Sequence, residues 1–244
     1  MDFIQQYLAA HSYHSLSLKA VLFDMDGVLF NSMPNHAAAW CKALSKNGFP
    51  FEEKEAYLHE GRTGASTINI LSQRQRGKDA TPEEIKKVYQ DKCDEFNKFP
   101  LAKPFDGGLE LVSKVKTSGL TPMIVTGSGQ KSLLGRLESN YPGLFKQELM
   151  VTSFDVKIGK PDPEPYLMGL KKGHLQANEA IVVENAPLGI HSSVAAGIFT
   201  IALNTGLLDD ETLIEAGANV LFHSMRDFCD HWEELLQKLR TAKL

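Results

Sequence analysis

The order of apolar runs along this chain constrains its fold more tightly than any other feature. One strand-like run, Lys19-Ala20-Val21-Leu22-Phe23, ends in Asp24-Met25-Asp26-Gly27, where apolar residues give way to turn formers. Residues 32–105 then show helical periodicity and no comparable run. Pro34 suits a first helical turn, Ala37, Trp40, Cys41 and Leu44 recur on one face, and Gly48 provides a stop. A short helix is expected over 52–59, then the turn Gly61-Arg62-Thr63-Gly64, then a helix through Ile68, Ile70 and Leu71. Thr81-Pro82-Glu83-Glu84 reads as a capping box opening a helix through Ile85, Val88, Tyr89 and Phe96. From Asp106 onward the texture alternates, with strands expected at 122–126, 149–153, 180–184, 199–203 and 219–222 and helices at 108–117, 131–139, 163–172, 188–196, 209–216 and 225–240. Strands separated by helix-sized segments require crossover connections and hence a parallel sheet.

The early strand must join that sheet, so the helical block is an insertion. The expectation is an α/β protein with a Rossmann-like parallel-sheet core formed by residues 18–31 and 106–244 and an inserted α-helical domain over 32–105. Residues 1–17 read either as a short docked helix through Phe3, Ile4, Tyr7 and Leu8 or as a tail.

Composition narrows the function classes. With 244 residues, 43% of them hydrophobic, a core can form without disulfide or metal staples. A formal net charge of −4 argues against a surface that collects nucleic-acid phosphates or anionic lipid. Cys41, Cys93 and Cys229 are too dispersed for a disulfide framework or a zinc site and suit a reducing compartment. The acidic second residue and the lack of a long apolar run speak against a secretory signal or a membrane span. A cytoplasmic monomer or weak dimer acting on a small molecule is expected, with no nucleic acid and no membrane as partner.

In open parallel sheets ligands bind beyond the carboxyl ends of the strands. Those ends deliver Asp24 and Asp26, then Thr126-Gly127-Ser128-Gly129, then Glu184-Asn185, while Lys160 stands between Gly159 and Pro161 in a connecting loop. Acids, hydroxyls and a lysine on one crevice suit phosphoryl transfer. A carboxylate can attack phosphorus, and a second carboxyl can protonate the leaving oxygen and later activate water. The anionic partners must be screened by a divalent cation and a lysine. Magnesium favours oxygen ligands, which Asp24, the Asp26 carbonyl, Glu184 and Asn185 supply. The Thr126 and Ser128 hydroxyls with the Gly127 and Gly129 amides would hold phosphoryl oxygens, and both hydroxyls would also cap the following helix.

The segments DMDGVLFNS, TGS, GKPDPEPY and VVENAPLG, in that order, resemble the haloacid dehalogenase superfamily of aspartate-nucleophile phosphotransferases, over nearly the whole chain from Leu18. The resemblance implies Asp24 as nucleophile, Asp26 as general acid and base, Thr126 as phosphate-binding hydroxyl, Lys160 as charge-balancing lysine, and Glu184 with Asn185 in the acidic magnesium-binding motif. It also implies that the inserted helices are the cap of the β-phosphoglucomutase-like branch, with His36 near the leaving group.

Two departures bear on substrate. Asn185 replaces the second acid of the metal motif, and Glu60 and Gly64 of the loop HEGRTGAST stand where the mutases carry a lysine and an arginine for a phosphosugar. Arg62 is left as a shifted candidate clamp. Glu60 would return the negative charge that Asn185 lacks, so that magnesium is held between cap and core over a small substrate such as pyrophosphate. This loop, taken with VVENAPLG, is similar to the inorganic pyrophosphatases of the branch. A sugar phosphate as substrate, and a phosphosugar mutase, are the alternatives.

Competing classes fit less well. Gly127-Ser128-Gly129-Gln130-Lys131-Ser132 completes neither the dinucleotide nor the Walker pattern. A non-catalytic binding module would not need Asp24, Asp26 and Lys160 together. Dehalogenation requires no magnesium and leaves Asp26 and Glu184 without a task.

Overall fold

The computed structural model describes residues 2–128 and 132–244, omitting the side chains of 132–134. Five parallel strands form one sheet: β1 (Ala20–Phe23), β2 (Thr121–Ile124), β3 (Ala180–Glu184), β4 (Phe199–Leu203) and β5 (Val220–Phe222), in the order β2-β1-β3-β4-β5. The inner strands are buried on both faces, which is why they read as unbroken apolar runs instead of alternating ones. Successive side chains still part company. Val21, Phe23, Ile181 and Val183 enter one core, whereas Ala20, Leu22, Ala180 and Val182 enter the other.

The first core is roofed by α1 (Phe3–Ala10), α6 (Gly108–Thr117) and α11 (Met225–Thr241), which contribute Leu8, Leu111, Phe228 and Trp232. The N-terminal segment is thus a docked helix, with Ile4, Tyr7 and Leu8 buried and the Tyr7 hydroxyl donating to the Gly197 carbonyl at 2.7 Å. The second core is covered by α8 (Glu164–Gly173) through Tyr166 and Leu170. Among the described residues no helix is long and apolar enough to cross a membrane.

The helical block comprises α2 (Met33–Lys46), α3 (Glu53–Leu58), α4 (Gly64–Arg76) and α5 (Pro82–Phe96). It has its own cluster of Leu44, Phe49, Ile68, Leu71, Ala80 and Val88. Both bonds of the Thr81 capping box are made. Met33, Ala37, Ala56 and Tyr57 rest this layer on Ile190, Ala202, Leu208 and Leu213 of the sheet domain.

One expectation fails. Residues 149–153 do not form a strand; Val151 makes a single parallel bridge to Val125. The reason is local, because the Asp155 carboxylate accepts from both the amide and the hydroxyl of Thr152, at 2.8 and 2.9 Å, and turns the chain out of the sheet. The helix expected from 131 is seen as α7 (Ser132–Asn140), and Lys131 lies outside the described residues.

Candidate active site

Strand order fixes where a site can form. From β1 the chain runs outward to β2, while from β3 it runs the other way to α9 (Pro187–Ala195) and β4, so the connections diverge between β1 and β3. Phe23 pairs with Val183, which leaves Asp24 and Glu184 level at that crevice. Lys160 bridges them, its Nζ 2.5 Å from Asp24 Oδ1 and 2.6 Å from Glu184 Oε1, with a third bond to the Val125 carbonyl at 3.1 Å. All three side chains are buried, and such a lysine is tolerable only because every donor finds an acceptor.

Glu184 is fully occupied. Oε1 also accepts from the Tyr166 hydroxyl at 2.8 Å, and Oε2 accepts from the amides of Asn185 and Ala186 at 3.0 and 3.3 Å. A Cβ at Gly189 would stand 1.8 Å from Glu184 Oε1. Gly189→Ala is therefore expected to displace Glu184 from Lys160 and lower stability by about 2 kcal/mol or more, read as the urea midpoint; an unchanged midpoint would show that the acid has room to move. Burial pushes the Asp24 carboxyl up, Lys160 opposes this, and Glu184 adds to it. Burial acts to lower the Lys160 ammonium, but Asp24 and Glu184 more than offset it and hold the group above the usual lysine range.

Asp26 has separate support. Its Oδ1 accepts from the Ser32 hydroxyl at 2.5 Å and faces His36 Nε2 at 3.6 Å and Arg136 Nη1 at 4.0 Å. Burial alone would raise this carboxyl, yet His36, Ser32 and Arg136 hold it at about 2. His36 Nδ1 lies 2.9 Å from Lys92 Nζ, so that nitrogen accepts and Nε2 carries the proton toward Asp26. Burial and Lys92 lower the imidazole, which is stacked 4.2 Å from the Phe96 ring.

From the helical layer Glu60 reaches into the crevice, where both its oxygens lie 3.0 Å from Asn185 Nδ2. Burial first, then Asp24, raise its carboxyl well above the usual range, and the Asn185 bond only partly counters them. Close backbone approach permits this contact. Gly61, with φ +89°, lies against Lys160, and a Cβ there would be 3.0 Å from Lys160 Cδ; a Cβ on Gly27 would overlap the Asn185 amide at 2.0 Å.

Thr126, Gly127 and Ser128 line the same cavity. The Thr126 hydroxyl accepts from the Ser128 amide at 3.1 Å and shapes the loop. The expected Gly129 amide lies outside the described residues. Arg62 lines the cavity, and its buried Nε has no partner among the described residues. The space a side chain at Gly64 would need is taken by Tyr89, whose Cδ2 would be 2.2 Å from such a Cβ.

Sequence reasoning overlooked Ser32, Tyr89, Lys92, Arg136 and Tyr166. Lys92 had a signal, because it interrupts the apolar stripe Val88, Tyr89, Phe96 of α5, and a cation on a buried face needs a partner. Arg136 had none, as its relation to Asp26 exists only in space.

Among the described residues no three acidic, histidine or cysteine side chains form a ready metal cage. The donors nonetheless fit magnesium. Among the described residues Asn185 Oδ1 is buried without a partner, and Glu60 brings a carboxylate to the same place. With both Glu184 oxygens engaged, Asn185 presents the free oxygen of that motif.

The family model described as haloacid dehalogenase-like hydrolase matches residues 21–203, from β1 to the end of β4. The chain belongs to this family, in its β-phosphoglucomutase-like branch. It is 32% identical to hexitol phosphatase A of Escherichia coli over 76% of this chain and 83% of that one. It is 31% identical to the phosphorylated carbohydrates phosphatase of Thermotoga maritima over 84% and 94% respectively. A solved structure from Bacteroides vulgatus, provisionally named a beta-phosphoglucomutase, superposes with a TM-score of 0.95 at 61% identity, covering 98% of this chain and 97% of the other.

Proposed function

We propose that this protein is a magnesium-dependent phosphohydrolase of the cytoplasm, that it works through an aspartyl phosphate on Asp24, and that its substrate is inorganic pyrophosphate. The helical layer over 32–105 acts as the cap over the site. The observation that carries the substrate assignment is Glu60, a half-buried carboxylate aimed from that layer at the Asn185 amide. An acid at this place repels a phosphosugar but suits a site where a cation is held from both sides.

Asp24, Asn185, Glu60 and the Asp26 carbonyl would hold magnesium, which when bound neutralises phosphoryl charge. In the first step Asp24 Oδ2 attacks phosphorus in line; the bond to the leaving oxygen breaks, and Asp26, which takes up a proton from solvent as the anionic substrate comes against it, passes that proton to the leaving oxygen. In the second, Asp26 takes a proton from water, which attacks the acyl phosphate and returns phosphate and free Asp24. Lys160 keeps Asp24 ionised and oriented, Thr126, Gly127 and Ser128 hold phosphoryl oxygens, and Arg62, with His36 and Lys92, receives the charge of the leaving phosphate.

Phosphate release from pyrophosphate, hexitol phosphates and β-glucose 1-phosphate, with and without chelator, tests the assignment. Pyrophosphate is expected to be the best substrate, and turnover should stop with chelator. Glu60→Gln is expected to lower pyrophosphate turnover about tenfold or more at limiting magnesium, with a weaker loss at saturating magnesium. Equal rates in both proteins would remove Glu60 from the site chemistry. A sugar phosphate is the second reading, favoured by the names of the Escherichia coli and Thermotoga maritima relatives.

A further inference from the structure

Arg136 lies on α7, outside every motif the sequence offers, yet its guanidinium is fixed beside Asp26. The guanidinium carbon stands 3.8 Å from the centroid of the Phe30 ring, and Nη1 is 4.0 Å from Asp26 Oδ1. Phe30 belongs to the same loop as Asp26, because the Gly27 amide donates to the Phe30 carbonyl at 2.9 Å. The segment carrying Arg136 grips that loop again through Tyr141, whose ring meets Phe30 edge-on at 5.6 Å and whose hydroxyl donates to the Leu29 carbonyl at 2.9 Å. Arg136 and the carboxylate it faces are therefore held by one piece of chain.

Among the described residues the Nε and Nη2 of Arg136 are buried without partners, and Asp26 is the one carboxylate that pairs with it. Of the nearby lysines, Lys160 pairs with Asp24 and Glu184, and Lys92 lies against His36 Nδ1. Of the groups facing Asp26 Oδ1, Ser32 is neutral and His36 is a half-buried imidazole beside a lysine, so the permanent positive charge is the guanidinium. With Oδ1 drawn toward these three groups, Oδ2 receives no hydrogen bond among the described residues and is the oxygen left to face a substrate.

We propose that Arg136 is a positioning residue that holds the Asp26 carboxyl in line for proton transfer to the leaving oxygen. The inference rests on the phosphohydrolase reading, in which Asp24 Oδ2 bonds to phosphorus while the leaving oxygen departs with the bonding pair and takes the Asp26 proton. A misplaced Asp26 slows that transfer, and most for leaving groups that need the proton most.

A series of aryl phosphates from phenyl to p-nitrophenyl phosphate, assayed with magnesium for wild type, Arg136→Met, Arg136→Gln and Arg136→Lys, separates this role from a structural one. Methionine keeps an apolar stem over Phe30, so melting temperature is expected to stay near wild type. In the Met and Gln variants kcat/KM for phenyl phosphate is expected to fall about tenfold, that for p-nitrophenyl phosphate less than about threefold, and lysine should recover part of the loss. Either neutral variant suffices if the other does not fold. An equal loss across the series, or none, would overturn the role of Arg136. If the wild type turns over pyrophosphate but not these esters, an unchanged kcat/KM for pyrophosphate in both neutral variants would overturn the role of Arg136; failure to release phosphate from any of these substrates would overturn the phosphohydrolase reading instead.

Discussion

Asp24→Asn is expected to reduce phosphate release by at least about a thousandfold while leaving the fold intact. The side chain is nearly isosteric, its Oδ1 still accepts from Lys160, and Lys160 retains Glu184 and the Val125 carbonyl. What is lost is the anionic oxygen that attacks phosphorus, and an amide is a poor substitute. The measurement is turnover of pyrophosphate and p-nitrophenyl phosphate beside far-UV and near-UV circular dichroism. Activity near wild type with native spectra would overturn the nucleophile assignment.

Lys160→Met has the second large effect, and it falls on stability as well as turnover. Removing the ammonium leaves Asp24 and Glu184 buried at one crevice without a cation, which costs about 3–5 kcal/mol. The loss depends on pH. Burial and Glu184 already push the Asp24 carboxyl up against the pull of Lys160, and without that pull its folded value lies further above its unfolded value. A folded carboxyl that holds its proton more tightly favours the folded state fully below the unfolded value, roughly pH 4, and this support is lost as pH rises through the folded one. The melting temperature of Lys160→Met is thus expected to approach wild type as pH falls from about 8 to about 5. A gap of constant size over that range would show that the site carboxylates are not its source.

Much of the candidate site was legible because its residues sit where the chain must stop being a strand. Asp24 and Glu184-Asn185 follow the last residues of two adjacent parallel strands, and the rule that ligands gather at such ends needs no coordinates. Lys160 was legible from its glycine and proline neighbours in a connecting loop. Glu60 was legible only as half of a pair with Asn185, from two departures that make sense together. The segment 149–153 was misread because its apolar start resembles a strand, while the Thr152 and Asp155 contacts that end it are a side-chain event with no periodicity.

Periodicity and turn chemistry report on each segment's own burial, so the sequence by itself determined the α/β class, the inserted helices and the kinds of group gathered at the strand ends. Which atoms of those groups are free was decided by the tertiary structure. Both oxygens of Glu184 accept from Lys160, Tyr166 and two amides, whereas Asn185 Oδ1 has no partner among the described residues. Tyr89 fills the space beside Gly64, and Arg136 reaches Asp26 from a helix more than a hundred residues away in the chain. Such contacts depend on how helices and strands pack across the crevice, and no spacing along the chain encodes that distance.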